Sequence, residues 1–495
     1  MESKYPDEII LTDTEKEISE DNHFFQVDVL KAAMIFLVIF DHIVSWNIKR
    51  DIGVALWERI SIPVFLIIMG FNMGLSFQGK GDLSLKELYS WSYFKNKIIR
   101  YVVPFLILYA ASTVIGLFIY SFDFIAMYDG QNYPNHGVIN LFIGYLPFWG
   151  PGNWFIPVIL SSILIFPLLY KGFTKKPVLT LILCFIVEIV MQLTVFFVIG
   201  DIRPGGVISW PKVHILNMFM SNILFYLSAI GLGMWFSIDH NLQSNRNIFM
   251  WFLYPISLAY IVAYQFFGFA FVIGKVPLIR GDYHFFVFPY SAFLFLIVIK
   301  LLPKKAKGRI SKAIKLISKS TYHILLIQIL GYGMVYAYGG AHDVIDVPFT
   351  LDRILDLVVV WITFISFGIL WYKVDQEKQL LRRGLYYINL FIIFPSLFLF
   401  IFWIQGYWVP IPLIIIITYS LSAIITHFII KRLLKTKVLS LWTSLLLITF
   451  TMLILQVEVL QPNDFWITLI PIGIFLIIAV IGTVLIYKSP KKLNK

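Results

Sequence analysis

The ionisable residues best placed for chemistry lie in the first long apolar run of this chain. Lys31 and His42 are eleven residues apart, so they differ by only about 20° around a helix, and Asp28 falls within about 60° of Lys31. This stripe rises about 21 Å from Asp28 to His42. A neutral imidazole suits general-base chemistry, and a lysine supplies a point charge for an anion. Asp41 points about 100° away from His42, so the spacing predicts a poor direct partner.

Two interpretations of this stripe are compatible with the helix alone. In the first, Asp28 and Lys31 are interfacial, Lys31 extends its ammonium group to water, and His42 lies near the outer rim. In the second, the stripe is functional, because ionisable groups inside a lipid-spanning segment are costly and usually face protein or water.

The composition predicts the environment of the helix that carries these residues. The chain has 495 residues, of which 59% are hydrophobic and 14% charged, whereas a soluble domain has about 45–50% apolar and about 25% charged residues. These values exclude a soluble enzyme, a disordered protein and a disulfide-stabilised scaffold. The single cysteine, Cys184, cannot form an internal disulfide or a cysteine-based metal cluster.

Apolar runs long enough to cross a bilayer recur along the chain. They predict an all-α, polytopic transmembrane bundle of about 14 spans, with a ten-span core and four C-terminal spans. The predicted spans are 27–46, 55–78, 98–121, 153–170, 177–199, 213–236, 248–273, 284–302, 320–338, 354–373, 386–403, 409–430, 438–457 and 465–487. This pattern divides the chain into an acidic tail (1–23), a core domain (24–375), a four-helix block (386–487) and a basic tail (488–495).

The net charge of +12 is distributed by side of the membrane. Most of the 40 lysines and arginines fall in alternate connections, on the same side as both termini. Basic connections mark the cytoplasmic side of a membrane protein, so both termini are expected in the cytoplasm. This placement argues against nucleic acid as a partner and favours membrane lipids.

Several short segments resemble the integral-membrane acyltransferase 3 family. The opening signature of that family is an acid, an apolar pair and an arginine, followed after ten residues by a histidine. Residues 27–42 resemble it, with Lys31 in the place of the arginine. Four later segments resemble further motifs of the family in the same order: 63–71, 94–104, 153–157 and 320–328. Gln328 stands where a histidine is common, and the resemblance covers about residues 24–375.

The resemblance implies a plasma-membrane enzyme that transfers an acyl group, often acetyl, from acyl-CoA to a hydroxyl of a sugar, a glycolipid or another envelope molecule. Acyl-CoA would be a co-substrate, and neither a bound cofactor nor a metal site is expected. His42 would act as general base or as transient acyl carrier, with Asp28 and Lys31 completing the catalytic set.

The remaining site residues follow from the same resemblance. Lys31, Lys97 and Arg100 would bind the phosphates of coenzyme A, although lysine lacks the two-pronged geometry of arginine. For Lys97 and Arg100 the alternative is ordinary positive-inside charge. The candidates for binding the acceptor or the oxyanion are Asn72, Asn153, Trp154, Tyr322 and Gln328.

Two other functional classes fit many polar residues within spans. A multi-pass transporter or flippase of a lipid-linked sugar or polysaccharide would also need such groups, but the sequence has no paired interrupted helices and no repeat halves. A non-catalytic scaffold or sensor would account for the acidic tail and leave the ordered motifs unexplained.

Overall fold

The computed structural model of the chain describes residues 24–119, 152–199, 221–238, 247–273, 283–337 and 351–378, apart from a few positions within these ranges, and scattered positions up to 398. Nearly all of these residues are helical. Besides helices and the turns between them, the described residues include a short antiparallel pairing of Val272–Ile273 with Val276–Pro277, which lies just past the range 247–273. The predicted all-α class is therefore confirmed for the described part of the chain.

Thirteen α-helices are described, and we number them in chain order. They are α1 (Phe25–Ile43), α2 (Trp46–Asp51), α3 (Ser61–Gln78), α4 (Leu85–Leu88), α5 (Trp91–Lys97), α6 (Val103–Ile119), α7 (Phe155–Lys175), α8 (Pro177–Ile199), α9 (Leu227–Ser237), α10 (Ile248–Phe267), α11 (Phe288–Leu301), α12 (Arg309–Ala337) and α13 (Leu351–Asp375). Two 3₁₀ turns (Val54–Leu56 and Ile223–Tyr226) and one π-helical turn (Ile98–Val102) complete the list.

Each of the ten predicted core spans overlaps one of these helices. Among the described residues, five helical segments are long and apolar enough to cross a membrane. They are Val54–Gln78, Leu85–Leu117, Phe155–Lys175, Pro177–Val195 and Leu357–Asp375. The total of fourteen spans and the cytoplasmic location of the termini stay predictions, and the last four predicted spans lie largely or wholly outside the described residues.

Helices α10 and α12 extend over different residues from those predicted. Helix α10 ends at Phe267 rather than 273, because Gly268 adopts a left-handed conformation with φ of 65° that terminates the helix. Helix α12 begins at Arg309, well before the predicted start at 320. Its basic first turns were assigned to a connection, yet lysine, arginine and leucine are good helix formers and extend the helix beyond its apolar part.

Helices α3 and α9 pack against each other through glycines. A Cβ atom added to Gly70 would lie 2.1 Å from the carbonyl oxygen of Ile230, and one added to Gly233 would lie 1.9 Å from that of Ile67. Both distances are far below van der Waals contact, so each glycine allows the two backbones to approach. Small residues have this role where membrane helices pack closely.

Helix α1 is fixed at its beginning by the chain that follows α11. The amide of Phe25 donates to the carbonyl oxygen of Lys304 at 2.9 Å, and the Gln26 side chain donates to that of Leu302 at 2.9 Å. The Phe24 ring also packs edge-on against Phe71 of α3, with centroids 5.3 Å apart. The same end of α1 therefore meets two other elements.

Helices α1 and α12 run in the same direction along each other. Near their beginnings, the Ser318 hydroxyl donates to the Asp28 carboxylate at 2.6 Å. Near their ends, Gln328 hydrogen-bonds to His42. Parallel packing is what the predicted topology requires of the first and the ninth span, which both have odd numbers.

The connection from α1 to α3 (residues 44–60) is clamped by two other helices. On α10, Gln265 accepts a hydrogen bond from the Ala55 amide at 3.0 Å and donates to the carbonyl oxygen of Arg50 at 2.8 Å. On α11, the Tyr290 hydroxyl donates to the carbonyl oxygen of Leu56 at 2.8 Å. Three hydrogen bonds thus fix the position of this connection.

The chain divides into two compact units. The first comprises Met1–Gly333 and Ala341–Ile369, and the second comprises Met334–Gly340 and Leu370–Lys495. All contacts of the site described below lie in the first unit. Within the second, Trp371 packs edge-on against Phe391 at 5.0 Å. The predicted domain boundaries at 375 and 386 stay predictions.

Candidate active site

His42 lies in the last turn of α1 and is bound by α12. The Gln328 amide donates a hydrogen bond to Nδ1 of the His42 ring, and the Tyr332 ring packs edge-on against it with centroids 5.9 Å apart. The His42 side chain is 15% exposed, so it is enclosed but reachable. The buried Oε1 atom of Gln328 has no hydrogen-bond partner among the described residues. Sequence reasoning singled out both residues, but their contact is visible only in the structure.

The segment before α7 passes close to both His42 and α12. A Cβ atom added to Gly152 would lie 3.6 Å from Cε1 of His42. Gly152 has a φ of +88°, which a residue with a side chain rarely adopts. Gly152 therefore lets the backbone of this segment pass close to the imidazole.

Asn153 follows directly, and its side-chain amide is fully buried. Its side chain is 0% exposed. Among the described residues, none forms a hydrogen bond with its Oδ1 or Nδ2. A buried amide without partners is unusual, because each unmet group carries a desolvation penalty. Within the described part of the chain Asn153 therefore has an unused donor and acceptor, and it directly follows Gly152, whose backbone passes close to the His42 ring.

Trp154 follows Asn153 and packs against two tyrosines, one of which hydrogen-bonds to Arg59. Its ring centroid lies 5.4 Å from that of Tyr226 and 6.1 Å from that of Tyr283. The guanidinium of Arg59 donates to the Tyr283 hydroxyl at 3.1 Å. Tyr283 therefore contacts both Trp154 and Arg59, and Arg59 in turn pairs with Asp41.

Asp41 is closer to His42 than its helical angle predicts. Its Oδ2 lies 3.8 Å from Nε2 of His42 and 3.2 Å from Nη1 of Arg59, and its Oδ1 lies 3.0 Å from Nζ of Lys49. The carboxylate lies nearest to Lys49 and Arg59, which the clamped connection places over the end of α1. The separation from His42 still exceeds hydrogen-bond length.

Asp28 and Lys31 lie at the opposite end of α1 from His42. Asp28 is buried and accepts the hydrogen bond from Ser318, and the charges of Arg100 and Asp28 both act on Lys31. About 21 Å of helix rise separates Asp28 from His42. The structure therefore divides the predicted catalytic stripe into two places, with His42 in one and the acid and lysine in the other.

Of the two basic donor candidates, Lys97 directly precedes the π-helical turn between α5 and α6, and Arg100 lies within it. The Lys97 ammonium lies 2.9 Å from the sulfur of Met73 and 5.7 and 5.8 Å from the ring centroids of Tyr93 and Tyr101. The Arg100 guanidinium lies 5.3 Å from the Tyr101 centroid, and Arg100 is exposed. Single π-turns inside helices occur often at functional sites.

Two oxyanion candidates are not brought to His42. The Tyr322 hydroxyl donates to the carbonyl oxygen of Tyr101 at 2.9 Å, next to the π-turn, and Tyr322 precedes Gln328 by about 9 Å along α12. Asn72 follows Phe71, which packs on Phe24 at the beginning of α1. Both residues therefore belong to the Lys31 end of the bundle.

Sequence reasoning did not single out five site residues: Gly152, Lys49, Arg59, Tyr283 and Tyr332. Lys49 and Arg59 were counted only as charges outside the inner connections, although Arg59 falls within a predicted span. A cation inside a membrane span is energetically costly, so the position of Arg59 in the sequence could have identified it as a site residue. Gly152, in a Pro-Gly pair, carries a turn signal and no more. Among the described residues, no group of three or more His, Cys, Asp or Glu side chains could hold a metal ion.

Comparison with known proteins identifies the family. Residues 24–371, more than half of the chain, match the acyltransferase 3 family model, described as an acyltransferase domain. No curated protein and no solved structure matches the chain significantly. The resemblance inferred from the ordered motifs is thereby confirmed, and the apolar helices agree with a protein embedded in a membrane. The chain belongs to the acyltransferase 3 family of integral-membrane proteins.

Proposed function

We propose that this protein is an O-acyltransferase of the plasma membrane. It would move an acyl group, with acetyl the expected one, from cytoplasmic acyl-CoA to a hydroxyl of an extracytoplasmic glycan or lipid-linked sugar. The observation that carries the proposal is the pairing of His42 with Gln328 at one end of α1, whereas two like charges, Lys31 and Arg100, repel each other at the other end, where an anion would relieve the repulsion. An elongated donor with phosphates at one end and a thioester at the other suits this separation.

His42 is the general base in this proposal. A glutamine amide can present its oxygen instead of its nitrogen by rotating about its last bond, and Oε1 of Gln328 has no described partner to lose. In that orientation Nδ1–H of His42 donates to Gln328. The lone pair of Nε2 is then available to take a proton.

The transfer balances without a further reactant. Nε2 of His42 removes the proton of the acceptor hydroxyl while that oxygen attacks the thioester carbonyl, so a C–O bond forms. The tetrahedral intermediate collapses and the C–S bond breaks. The thiolate of coenzyme A takes the proton from the imidazolium and leaves as a thiol.

Asn153 is the proposed donor to the oxyanion. Its amide is buried beside Gly152, which contacts His42, and it has no partner among the described residues. A preorganised donor aimed at developing charge lowers the barrier of acyl transfer, and its removal costs about 10²–10³ in kcat. Asn153 replaces Asn72 and Tyr322 as the preferred candidate because it lies at the same end of α1 as His42.

Lys31, Lys97 and Arg100 are the proposed binding residues for the donor phosphates. The Tyr101 ring lies against both Lys97 and Arg100, which limits the positions that the two cations can adopt. Arg100 is exposed and supplies the two-pronged geometry that lysine lacks. Membrane lipids surround the bundle, and the acceptor would approach His42 from the outer side.

The test compares cells that carry the wild-type gene, a His42→Ala variant or no gene. Mass spectrometry of envelope glycans and lipids is expected to show an acyl group with the wild type that is absent in the other two. A Lys312→Gln variant, changed at an exposed residue of α12, is the control and should retain the group. If His42→Ala protein, present in the membrane at wild-type level, supports full acylation, the catalytic assignment is rejected.

A further inference from the structure

Asp41 is a buried carboxylate that the proposed reaction does not use. It is 7% exposed, and it lies outside the acid–lysine–histidine signature of α1. Its Oδ2 is shared between Arg59 at 3.2 Å and His42 at 3.8 Å, and Lys49 contacts its Oδ1 at 3.0 Å. A charged group in such a place is costly unless it interacts with others, so its position beside the base calls for a role.

Charged and polar groups from three elements surround His42. Asp41 is its neighbour on α1, and Lys49 and Arg59 of the clamped connection pair with Asp41. Gln328 and Tyr332 of α12 contact the His42 ring. Glu58 lies behind Arg59, with Oε2 3.6 Å from Nε, and the segment before α7 contributes the uncharged Gly152. Among the described residues, Asp41 is therefore the anion within ion-pair distance of the imidazole.

We infer that Asp41 is a positioning residue that stabilises the protonated form of His42, and that Lys49 and Arg59 determine how strongly it does so. An imidazolium forms when His42 takes the hydroxyl proton, and the neighbouring negative charge favours that state. Lys49 and Arg59 attract the same carboxylate and oppose the effect. This inference rests on the proposed function only in that His42 gains and loses a proton.

The connection gives this arrangement its rigidity. Gln265 and Tyr290 bind the backbone between Arg50 and Leu56. Lys49 lies just before this bound stretch and Arg59 lies just after it. The two cations are thus fixed by α10 and α11 rather than by α1 alone. The proton affinity of the base is in this way coupled to the outer connection.

The test follows the titration of His42 directly, with full-length protein in lipid nanodiscs. Diethylpyrocarbonate modifies neutral imidazole, so the rate of His42 modification, read by mass spectrometry of its peptide between about pH 5 and 9, gives a midpoint. The reagent can reach a side chain that is 15% exposed. No substrate is needed, and the identity of the acceptor does not enter.

Two variants should shift this midpoint in opposite directions. Asp41→Asn removes a negative charge, disfavours the imidazolium and should lower the midpoint by about one pH unit. Lys49→Met removes a positive charge and should raise it by a similar amount. Arg50→Gln is the matched control, because Arg50 lies beside Lys49 on α2, is largely exposed and pairs with Asp51 at 3.6 Å. Its midpoint should equal that of the wild type.

A merely structural role would not produce opposite shifts. If Asp41→Asn and Lys49→Met both leave the midpoint unchanged, or move it in the same direction, the inference is overturned. Asp41→Asn protein could fail to fold because Lys49 and Arg59 lose their partner. Lys49→Met keeps the Asp41–Arg59 pair, so in that case a raised midpoint in Lys49→Met supports the inference and an unchanged or lowered midpoint overturns it. Opposite shifts combined with full acylation by His42→Ala would reject the proposed catalytic role while leaving the electrostatic coupling intact.

Discussion

The histidine at the end of the first helix depends on residues that are distant in the sequence. Gln328 binds its Nδ1 and Gly152 contacts its Cε1, and these residues come from α12 and from the segment before α7. A base is effective only when the ring has a fixed orientation and the correct nitrogen is free. The two predictions at the scale of single residues concern these neighbours.

Replacing Gln328 should impair catalysis and spare the fold. Gln328→Leu removes the partner of Nδ1, so the imidazole loses its fixed tautomer and orientation, and kcat for acyl transfer should fall about 10²-fold. Gln328→His restores a hydrogen-bonding group and should keep most of the activity. Steady-state kinetics of the purified variants measures both, and an unchanged kcat in Gln328→Leu would contradict the assignment.

Asn153 offers a prediction in which stability and activity separate. Asn153→Ala removes a buried amide that has no described partner, so the melting temperature should stay the same or rise. The same change removes the proposed oxyanion donor, and kcat should fall about 10²–10³-fold. Thermal unfolding in detergent and kinetics on one preparation test the two parts. A clear loss of stability would show that the amide has a structural partner instead.

At the scale of elements, the glycine contacts between α3 and α9 determine how closely two helices of the core can pack. α3 also carries Phe71 and Met73, which contact Phe24 and Lys97. A change in the spacing of α3 and α9 would therefore be felt at the Lys31 end of the site. The membrane offers little hydrophobic driving force between helices, so close packing carries much of their association.

Gly70→Ala should destabilise this pair. The added methyl group would lie 2.1 Å from the carbonyl oxygen of Ile230, and overpacking of this kind costs about 1–3 kcal/mol. The melting temperature in detergent should fall. Gly79→Ala, at the end of the same helix, places a methyl group 3.8 Å from its nearest neighbour and serves as the control. Equal melting temperatures for the two variants would refute the close contact.

At the scale of the whole molecule, the connections alternate in charge, and this alternation predicts their side of the membrane. The α1–α3 connection is expected outside, and the basic connection that holds Lys86 is expected inside. The single cysteine, Cys184, is buried, so the natural chain provides a background with little labelling. Cysteines introduced at exposed positions can therefore report topology.

Asp51→Cys and Lys86→Cys should label on opposite sides. Both positions are exposed, and a membrane-impermeant maleimide applied to intact cells should modify the cysteine at position 51 and leave that at 86 unmodified until the membrane is permeabilised. The positive-inside asymmetry is the physical reason. Labelling of both variants in intact cells, or the reverse pattern, would overturn the predicted orientation. Wild-type protein, labelled in parallel, measures the background from Cys184.

Much of the site could be read from local sequence. His42, Lys31 and Gln328 were identified because their types are rare in apolar runs or because they fall in ordered family motifs, and the structure places Gln328 on His42. The separation of Asp28 from His42, about 21 Å along the helix, also follows from the sequence. The structure adds the partners at each end, Ser318 for Asp28 and Gln328 for His42.

The sequence by itself determined the membrane class, the helical content and the family, because each depends on composition, on runs of apolar residues or on local order of motifs. Only the tertiary structure decided that Asp41 meets Lys49 and Arg59, that Gly152 contacts His42, and that Asn72 and Tyr322 belong to the other end of α1. These contacts join segments far apart in the chain. Their geometry depends on how helices and connections pack, which no local pattern encodes.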